Sequence, residues 1–528
     1  MEARSEPAAS EADLAAFTSV GRGTVVLILG TLVLFGASFV SRVLIAQSFS
    51  LADWGMFNLA LAVTGLLSLA SLLGLDQAAA RSLSYERDPA VRRSIVRYSV
   101  GVAAAAAIVT STVLYLLAGT LAALFRAPEL TGIFQLLSVT VGFGLLSLML
   151  AALFQGCEDA APNALFNQVL NPLLFVAFVA LALLFHLGFP GVLVGYVIAS
   201  GASVTALLGF ALLRLPERLP KVDGPLPRTP QLWPLALSFW GVGSLAFVTA
   251  FVDTLVLGVF WPASTVGVYA AAMTIARVLL VGNGALTYIY LPVAARFARD
   301  HDLERLRATY VAGTRWSLLI VTPLFLLFTF LPALSLAAVF GPGFESGGVT
   351  LQVLAAAAFL SVVVGPSNAA LAGLGEARSL LGTTAVAAGA NLALSFALIP
   401  FLGAVGAAIA WGVARGLYPG LGVGVLHRKY GVTFLHPALV RPLALTLAVA
   451  IPVVLVLSAF ALPVWAVVPI GLGAFGLSVA SLVATRSVLP GDFAVAHGIE
   501  SVLHRPLPRL HRLLATSLYA APRPEGAP

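Results

Sequence analysis

Four ionisable side chains stand inside long apolar stretches of this 528-residue sequence: Arg42, Asp253, Arg277 and Arg415. An ionised side chain costs roughly 2.5–3.5 kcal/mol to insert at the centre of a membrane helix, so each should face a cavity or a partner. A guanidinium keeps its proton and can bind phosphate oxygens through two parallel hydrogen bonds. The three arginines therefore predict a cavity that binds an anion, and a diphosphate fits it better than a neutral sugar or a cation.

Arg42 and Asp253 occupy nearly equivalent places in the two halves of the sequence, because Ser41 aligns with Asp253 at an offset of 212 residues. An ion pair between the halves could form in one conformation, or a static pair could simply fix helix packing. Arg415 has an alternative too, since it could bond to helix ends near Tyr418. These interpretations stay open at this point.

Amide side chains form a second polar group. In a membrane interior, such groups hydrogen-bond neighbouring helices for roughly 0.6–2 kcal/mol each, or they can donate to sugar hydroxyls. We assign Asn283 to the substrate cavity. Asp253 and Asn391 could together bind a coupling cation, Na⁺ or H⁺. The remaining amides are predicted mainly to join helices: Asn58, Asn163, Asn167, Gln168, Asn171 and Asn368.

Three polar residues lie near the cytoplasmic end of the second apolar stretch: Asp76, Gln77 and Arg81. They could meet a substrate at the inner mouth of a cavity. Asp76 and Arg81 could equally be an interfacial ion pair.

The elements that must position these residues are membrane helices. Hydrophobic residues make up 60% of the chain, charged residues only 10%, and the mean hydropathy is +1.00. A span needs roughly 20 apolar residues. We predict an all-α integral membrane protein with about fourteen such spans: 24–46, 57–79, 97–124, 131–155, 163–187, 190–213, 235–260, 267–291, 311–339, 349–373, 379–400, 403–426, 438–460 and 462–485.

The second half of the sequence repeats the first. Phe39, Gly55 and Phe57 match Phe251, Gly267 and Tyr269, all at an offset of 212 residues. Six helices is an even number, so both repeats should enter the membrane from the same side and be related by a pseudo-two-fold axis along its normal. The predicted parts are a cytoplasmic N-terminal segment (1–23), an N-lobe (24–214), a cytoplasmic linker (215–234), a C-lobe (235–427), a final helix pair (428–487) and a basic amphipathic tail (488–528).

Arginine-rich loops alternate along the sequence with loops that carry almost no positive charge. Among the loops of this second kind, Arg126 is essentially the only arginine. Lys and Arg accumulate in cytoplasmic loops, so both termini are predicted to be cytoplasmic. The net charge of +7 and pI of about 9.8 then reflect topology and lipid contact rather than a nucleic-acid partner.

An enzyme is not expected. The sequence has no GxxxxGK[ST] phosphate loop, no HExxH motif and no cysteine cluster, so neither a cofactor nor a metal is predicted. Cys157 is the single cysteine, which excludes an internal disulfide.

Several short motifs resemble a known transporter family. They are Arg42 in the first helix, D-x-G-x-F at 53–57, the run ending in AAAR at 78–81, LPVAAR at 291–296 and GLGEAR at 373–378. Over about residues 20–430, the sequence looks like polysaccharide-biosynthesis flippases of the Wzx type. These belong to the superfamily of the lipid II flippase MurJ and the MATE drug antiporters.

The resemblance implies two six-helix lobes and alternating access in the cell membrane. A polyprenyl-linked glycan headgroup would enter a cationic cavity from the cytoplasm and be released outside. Arg42 and Arg277 match positions where such flippases tend to carry cavity arginines. The implied partners are membrane lipids, the glycan substrate and glycan-assembly enzymes, with a monomer as the expected state.

Two rivals remain open. A MATE-like cation-coupled antiporter would need cavity carboxylates, and the sequence offers only Asp253 at depth. A membrane scaffold with a closed cavity would require every buried arginine to be paired.

Overall fold

The computed structural model describes residues 11–218, 232–300, 302–431, 436–460 and 462–487. Most of the predicted linker, the whole predicted tail and the side chain of Asn283 lie outside this description. Within it, thirteen helices are long and apolar enough to cross a membrane. The all-α membrane class is therefore confirmed.

The chain divides into two compact units, 1–247 and 248–528. The first unit contains seven α-helices and one π-helical segment, followed by the start of α8. Their bounds are α1 Glu11–Ser48, α2 Leu51–Leu72, α3 Leu75–Tyr85, α4 Pro89–Leu124, α5 Leu130–Gly156, the π-helix Asn163–Leu170, α6 Asn171–Leu184 and α7 Gly188–Arg218.

The second unit holds the rest of α8 and eight further helices. Their bounds are α8 Trp233–Phe260, α9 Ala263–Arg299, α10 Leu303–Phe330, α11 Pro332–Phe340, α12 Gly348–Val364, α13 Ser367–Gly373, α14 Ala377–Tyr430, α15 Pro437–Ser458 and α16 Val467–Ala484. Short 3₁₀ turns at Pro342–Gly347 and Val464–Ala466 precede α12 and α16.

Helix α14 explains why fourteen predicted spans correspond to thirteen helices. Its 54 residues would measure about 80 Å if straight, whereas the hydrocarbon core is about 30 Å thick. The helix bends at Gly403, whose φ of 54° and ψ of −130° are not helical. The Trp261 indole lies against this bend and donates a hydrogen bond to the Ile399 carbonyl at 2.8 Å. The two predicted spans 379–400 and 403–426 are the two arms.

Three predicted spans are interrupted in the structure, and one of them, 311–339, is interrupted at Leu331 between α10 and α11. The span 57–79 ends at Leu72, because Leu73 and Gly74 take positive φ values of 48° and 77° and start the separate helix α3. A Cβ on Gly74 would lie 2.3 Å from the Ala236 carbonyl oxygen, so only glycine fits there.

The span 349–373 is broken at Gly365 and Pro366, between α12 and α13. Because a helix break leaves backbone groups without partners, side chains must bond them inside a membrane. The Tyr310 hydroxyl donates to the Val364 carbonyl, and the Ser367 hydroxyl donates to the Pro419 carbonyl at 2.9 Å.

Candidate functional site

The hairpin of α8 and α9 holds the one acidic residue predicted for the cavity. Asp253 and Tyr269 lie eight positions before and after Trp261 at the turn, so the antiparallel helices bring them to the same level. Each is 1% exposed. The Tyr269 hydroxyl donates a hydrogen bond to the Asp253 carboxylate, and the Thr254 amide donates another at 2.8 Å. Asp253 is thus a buried carboxylate held by two donors.

Arg277 lies eight residues further along α9 than Tyr269, about 12 Å along the helix axis. Helical side chains tilt toward the helix N-terminus, which turns Arg277 back toward the α8–α9 turn. Its Nη2 donates to the Ala250 carbonyl at 3.5 Å, and the guanidinium is within electrostatic range of Asp253 and Tyr269. The side chain is nevertheless exposed, so it can meet a ligand.

Arg415 brings a second guanidinium from the arm of α14 that follows the bend at Gly403. It is half-buried, interacts electrostatically with Arg277, and its buried Nε has no hydrogen-bond partner among the described residues. The Tyr418 carbonyl accepts instead from Asn368 Nδ2 at 3.3 Å. Arg415 also interacts electrostatically with Tyr418, and the alternative in which it bonds to a helix end near Tyr418 stays a prediction.

Asn391 lies on the other arm of α14 and is fully buried. Its Oδ1 accepts from the Ser395 hydroxyl at 3.1 Å, while its Nδ2 has no partner within the described part of the chain. Asp253 bonds Tyr269 and Thr254, so no described hydrogen bond links it to Asn391. Over the described ranges, no three His, Cys, Asp or Glu side chains come together to hold a metal ion. A coupling-cation site at Asp253 and Asn391 stays a prediction.

In the first unit, Arg42 is half-buried on α1 and within electrostatic range of Tyr196 on α7. Arg42 belongs to this unit and Asp253 to the other, and their pairing stays a prediction. Asn283 lies on α9, and its predicted place in the cavity also stays a prediction.

The three predicted inner-mouth residues all lie on α3. Asp76 is buried and accepts a hydrogen bond from Gln77 Nε2 at 3.0 Å. Arg81 is exposed and places its guanidinium 5.7 Å from the centre of the Tyr85 ring. Asp76 therefore bonds its neighbour Gln77, and the interfacial pair with Arg81 is not formed here. Gln77 and Arg81 remain exposed for a ligand.

The sequence reasoning missed Tyr269 and Tyr196, the residues next to Asp253 and Arg42. For Tyr269 a signal existed, because Asp253 and Tyr269 are equally spaced about the turn at Trp261. Tyr196 is 154 positions from Arg42 and belongs to another helix, so no local spacing could identify it.

Comparison with known proteins gives a family and a fold. A model of the polysaccharide biosynthesis protein family matches residues 20–297, just over half of the chain. No curated protein matches the chain by sequence.

Solved structures of transporters share the fold at low sequence identity. The lipid II flippase MurJ in an inward closed conformation has a TM-score of 0.68 and 12% identity over 86% of this chain and 98% of its own. An inward-facing multidrug resistance MATE transporter of the MOP superfamily has a TM-score of 0.61 and 13% identity over 75% of this chain and 95% of its own. The MATE multidrug transporter DinF-BH has a TM-score of 0.56 and 17% identity over 83% of this chain and 100% of its own.

Proposed function

Because the chain belongs to the polysaccharide biosynthesis protein family, we propose that it is a flippase for a polyprenyl phosphate- or diphosphate-linked oligosaccharide. The substrate would pass from the cytoplasmic to the outer leaflet of the cell membrane by alternating access, for the assembly of surface polysaccharide or glycan. Alternating access would use the two predicted lobes, 24–214 and 235–427.

The observation that carries this proposal is the charge of the site in the second unit. Arg277 is exposed, and Arg415 keeps an unpartnered Nε among the described residues. Within the described part of the chain, Asp253 is the one carboxylate in their electrostatic network, and Tyr269 already bonds it. Two guanidinium groups against one carboxylate leave an excess positive charge, which suits a phosphate or diphosphate.

MurJ is described as a lipid II flippase, which supports a lipid-linked cargo for this fold. The MATE structures are described as multidrug transporters, so cation-coupled drug antiport is the second candidate. Asp253 is the observation in its favour, because a buried carboxylate could bind a proton or a cation. The excess of arginine favours the flippase.

The other predicted residues complete the proposal. Arg42 would favour an anionic substrate, and Asn283 would donate to sugar hydroxyls. Gln77 and Arg81, with Asp76 behind them, would meet the headgroup at the cytoplasmic mouth. Asp253 and Asn391 are the candidates for Na⁺ or H⁺ coupling. Both termini would be cytoplasmic and the protein a monomer.

Purified protein in proteoliposomes tests this directly. A fluorescent lipid-linked oligosaccharide, incorporated in both leaflets, becomes accessible to a membrane-impermeant quencher or glycosidase when it is flipped. The proposal expects full accessibility with the protein and about half in protein-free vesicles. Uptake of a cationic dye by the same vesicles, with no flipping of the oligosaccharide, would instead establish drug antiport.

A further inference from the structure

A groove lies between α10, α15 and α16 in the second unit, separate from the helices that carry Arg277 and Arg415. The space along its walls is about 380 Å³, part of which is open to the surroundings. Its walls are mainly apolar, with a few hydroxyls further in. The lining includes Trp316, Leu319, Leu443, Thr446, Ser478 and Leu482.

The groove has a charged end. Arg315 lines it and is 4% exposed, and its guanidinium donates to the Ser487 carbonyl just after α16. Leu439, near the start of α15, and Leu482, near the end of α16, line the same end. Thr322 lies seven residues further along α10, so the groove extends about 10 Å inward from Arg315.

A histidine and two exposed arginines lie near this end. His436 caps the N-terminus of α15, where its Nδ1 accepts from the Ala438 amide. Burial lowers the pKa of His436, and the charges of Arg307 and Arg315 lower it further, so a neutral imidazole lies beside two positively charged arginines. Arg307 is exposed on α10, and Arg486 is exposed one residue before Ser487.

An apolar groove with a cationic end matches the two parts of a phospholipid. Basic pockets between membrane helices on the cytoplasmic side bind anionic headgroups, and each arginine near the surface contributes attraction to anionic lipid. We propose that this groove binds an anionic phospholipid of the inner leaflet, with its phosphate at Arg307, Arg315 and His436 and an acyl chain along Trp316 and Leu443. The lipid is a bound component of the protein rather than its cargo, so this proposal does not depend on the flippase assignment.

Trp316 provides a reporter, because brominated acyl chains quench tryptophan fluorescence on contact. The protein is placed in nanodiscs of phosphatidylcholine with a minor fraction of brominated phosphatidylglycerol or, separately, brominated phosphatidylcholine. The difference in fluorescence between wild type and Trp316→Phe gives the signal of Trp316 without that of the other tryptophans. We expect stronger quenching by the phosphatidylglycerol probe, and a preference that falls about fivefold in Arg307→Ala.

Arg378→Ala is the matched control, since Arg378 is equally exposed at the start of α14 and does not line the groove. It should leave the preference unchanged. Equal quenching by both probes, or an equal loss of preference in the two arginine variants, would overturn the proposal. Displacement of the phosphatidylglycerol probe by a small amount of polyprenyl phosphate would also overturn it, because the groove would then hold the substrate chain.

Thr446→Phe, which narrows the groove, should reduce Trp316 quenching by the anionic probe and supplies a second variant that leaves the charges in place.

Discussion

The Tyr269 hydroxyl donates a hydrogen bond to the Asp253 carboxylate across the α8–α9 hairpin, and both side chains are almost fully buried. This pair satisfies a carboxylate that would otherwise be costly inside the membrane. It also leaves the nearby Arg277 exposed and available for another anion.

Removal of the Tyr269 hydroxyl should destabilise the protein. Tyr269→Phe leaves Asp253 with the Thr254 amide as its remaining described donor, and a lost partner for a buried polar group costs about 1–3 kcal/mol. Thermal unfolding in detergent measures the change. The double variant Tyr269→Phe with Asp253→Leu should recover much of the loss, because neither polar group then remains. A Tyr269→Phe protein as stable as wild type would show that the bond is not needed.

Gly403 should tolerate no side chain. Its backbone conformation is strained for other residues, and a Cβ would lie 3.1 Å from the Trp261 ring. Gly403→Ala should therefore lower the stability by about 1–3 kcal/mol. Gly389 is the matched control on the same helix, where a Cβ meets no atom within 4 Å in the described structure. Gly389→Ala should be neutral or stabilising, and equal melting temperatures for both variants would contradict the prediction.

Glu376 should make the stability of the second unit depend on acid pH. Lys429 Nζ donates to both carboxylate oxygens at 2.8 and 2.7 Å. Hydrogen bonds from Lys429, then from Ser379 and Tyr430, lower the pKa of Glu376 to about 2. An unfolded glutamate titrates near about 4.3, so this stabilisation is complete above that pH and is lost as the pH falls toward 2.

Glu376→Gln tests this pH dependence. Its melting temperature should lie below that of wild type at pH 7, and the difference should shrink as the pH is lowered below about 4.3. Glu345→Gln is a control, because Glu345 makes no described ion pair in the same unit. A difference that stays constant down to pH 3 would exclude a charge-dependent role for Glu376.

Much of the fold follows from the sequence, because apolar length alone identifies membrane helices. The bend at Gly403 even separates the two spans predicted in α14. The break between α12 and α13 was missed, although Gly365 and Pro366 mark it locally, because the Tyr310 hydroxyl that bonds Val364 comes from 54 positions earlier. Such a partner depends on how distant helices pack.

The candidate site was predictable in part. The cost of burying charge pointed to Arg277, Arg415 and Asp253, and the structure places these three in one electrostatic network. The groove beside Arg315 was not predicted, since its walls come from three helices that are far apart in the sequence.

The central claim is that Arg277 binds the anionic part of a lipid-linked substrate. The most direct measurement compares the flipping rate of a lipid-linked oligosaccharide by proteoliposomes containing wild type, Arg277→Gln and Arg296→Gln. Arg296 is also exposed on α9, in its last turn. We expect a large loss of flipping in Arg277→Gln, partial recovery in Arg277→Lys and normal flipping in Arg296→Gln. Normal flipping by well-folded Arg277→Gln protein would contradict it.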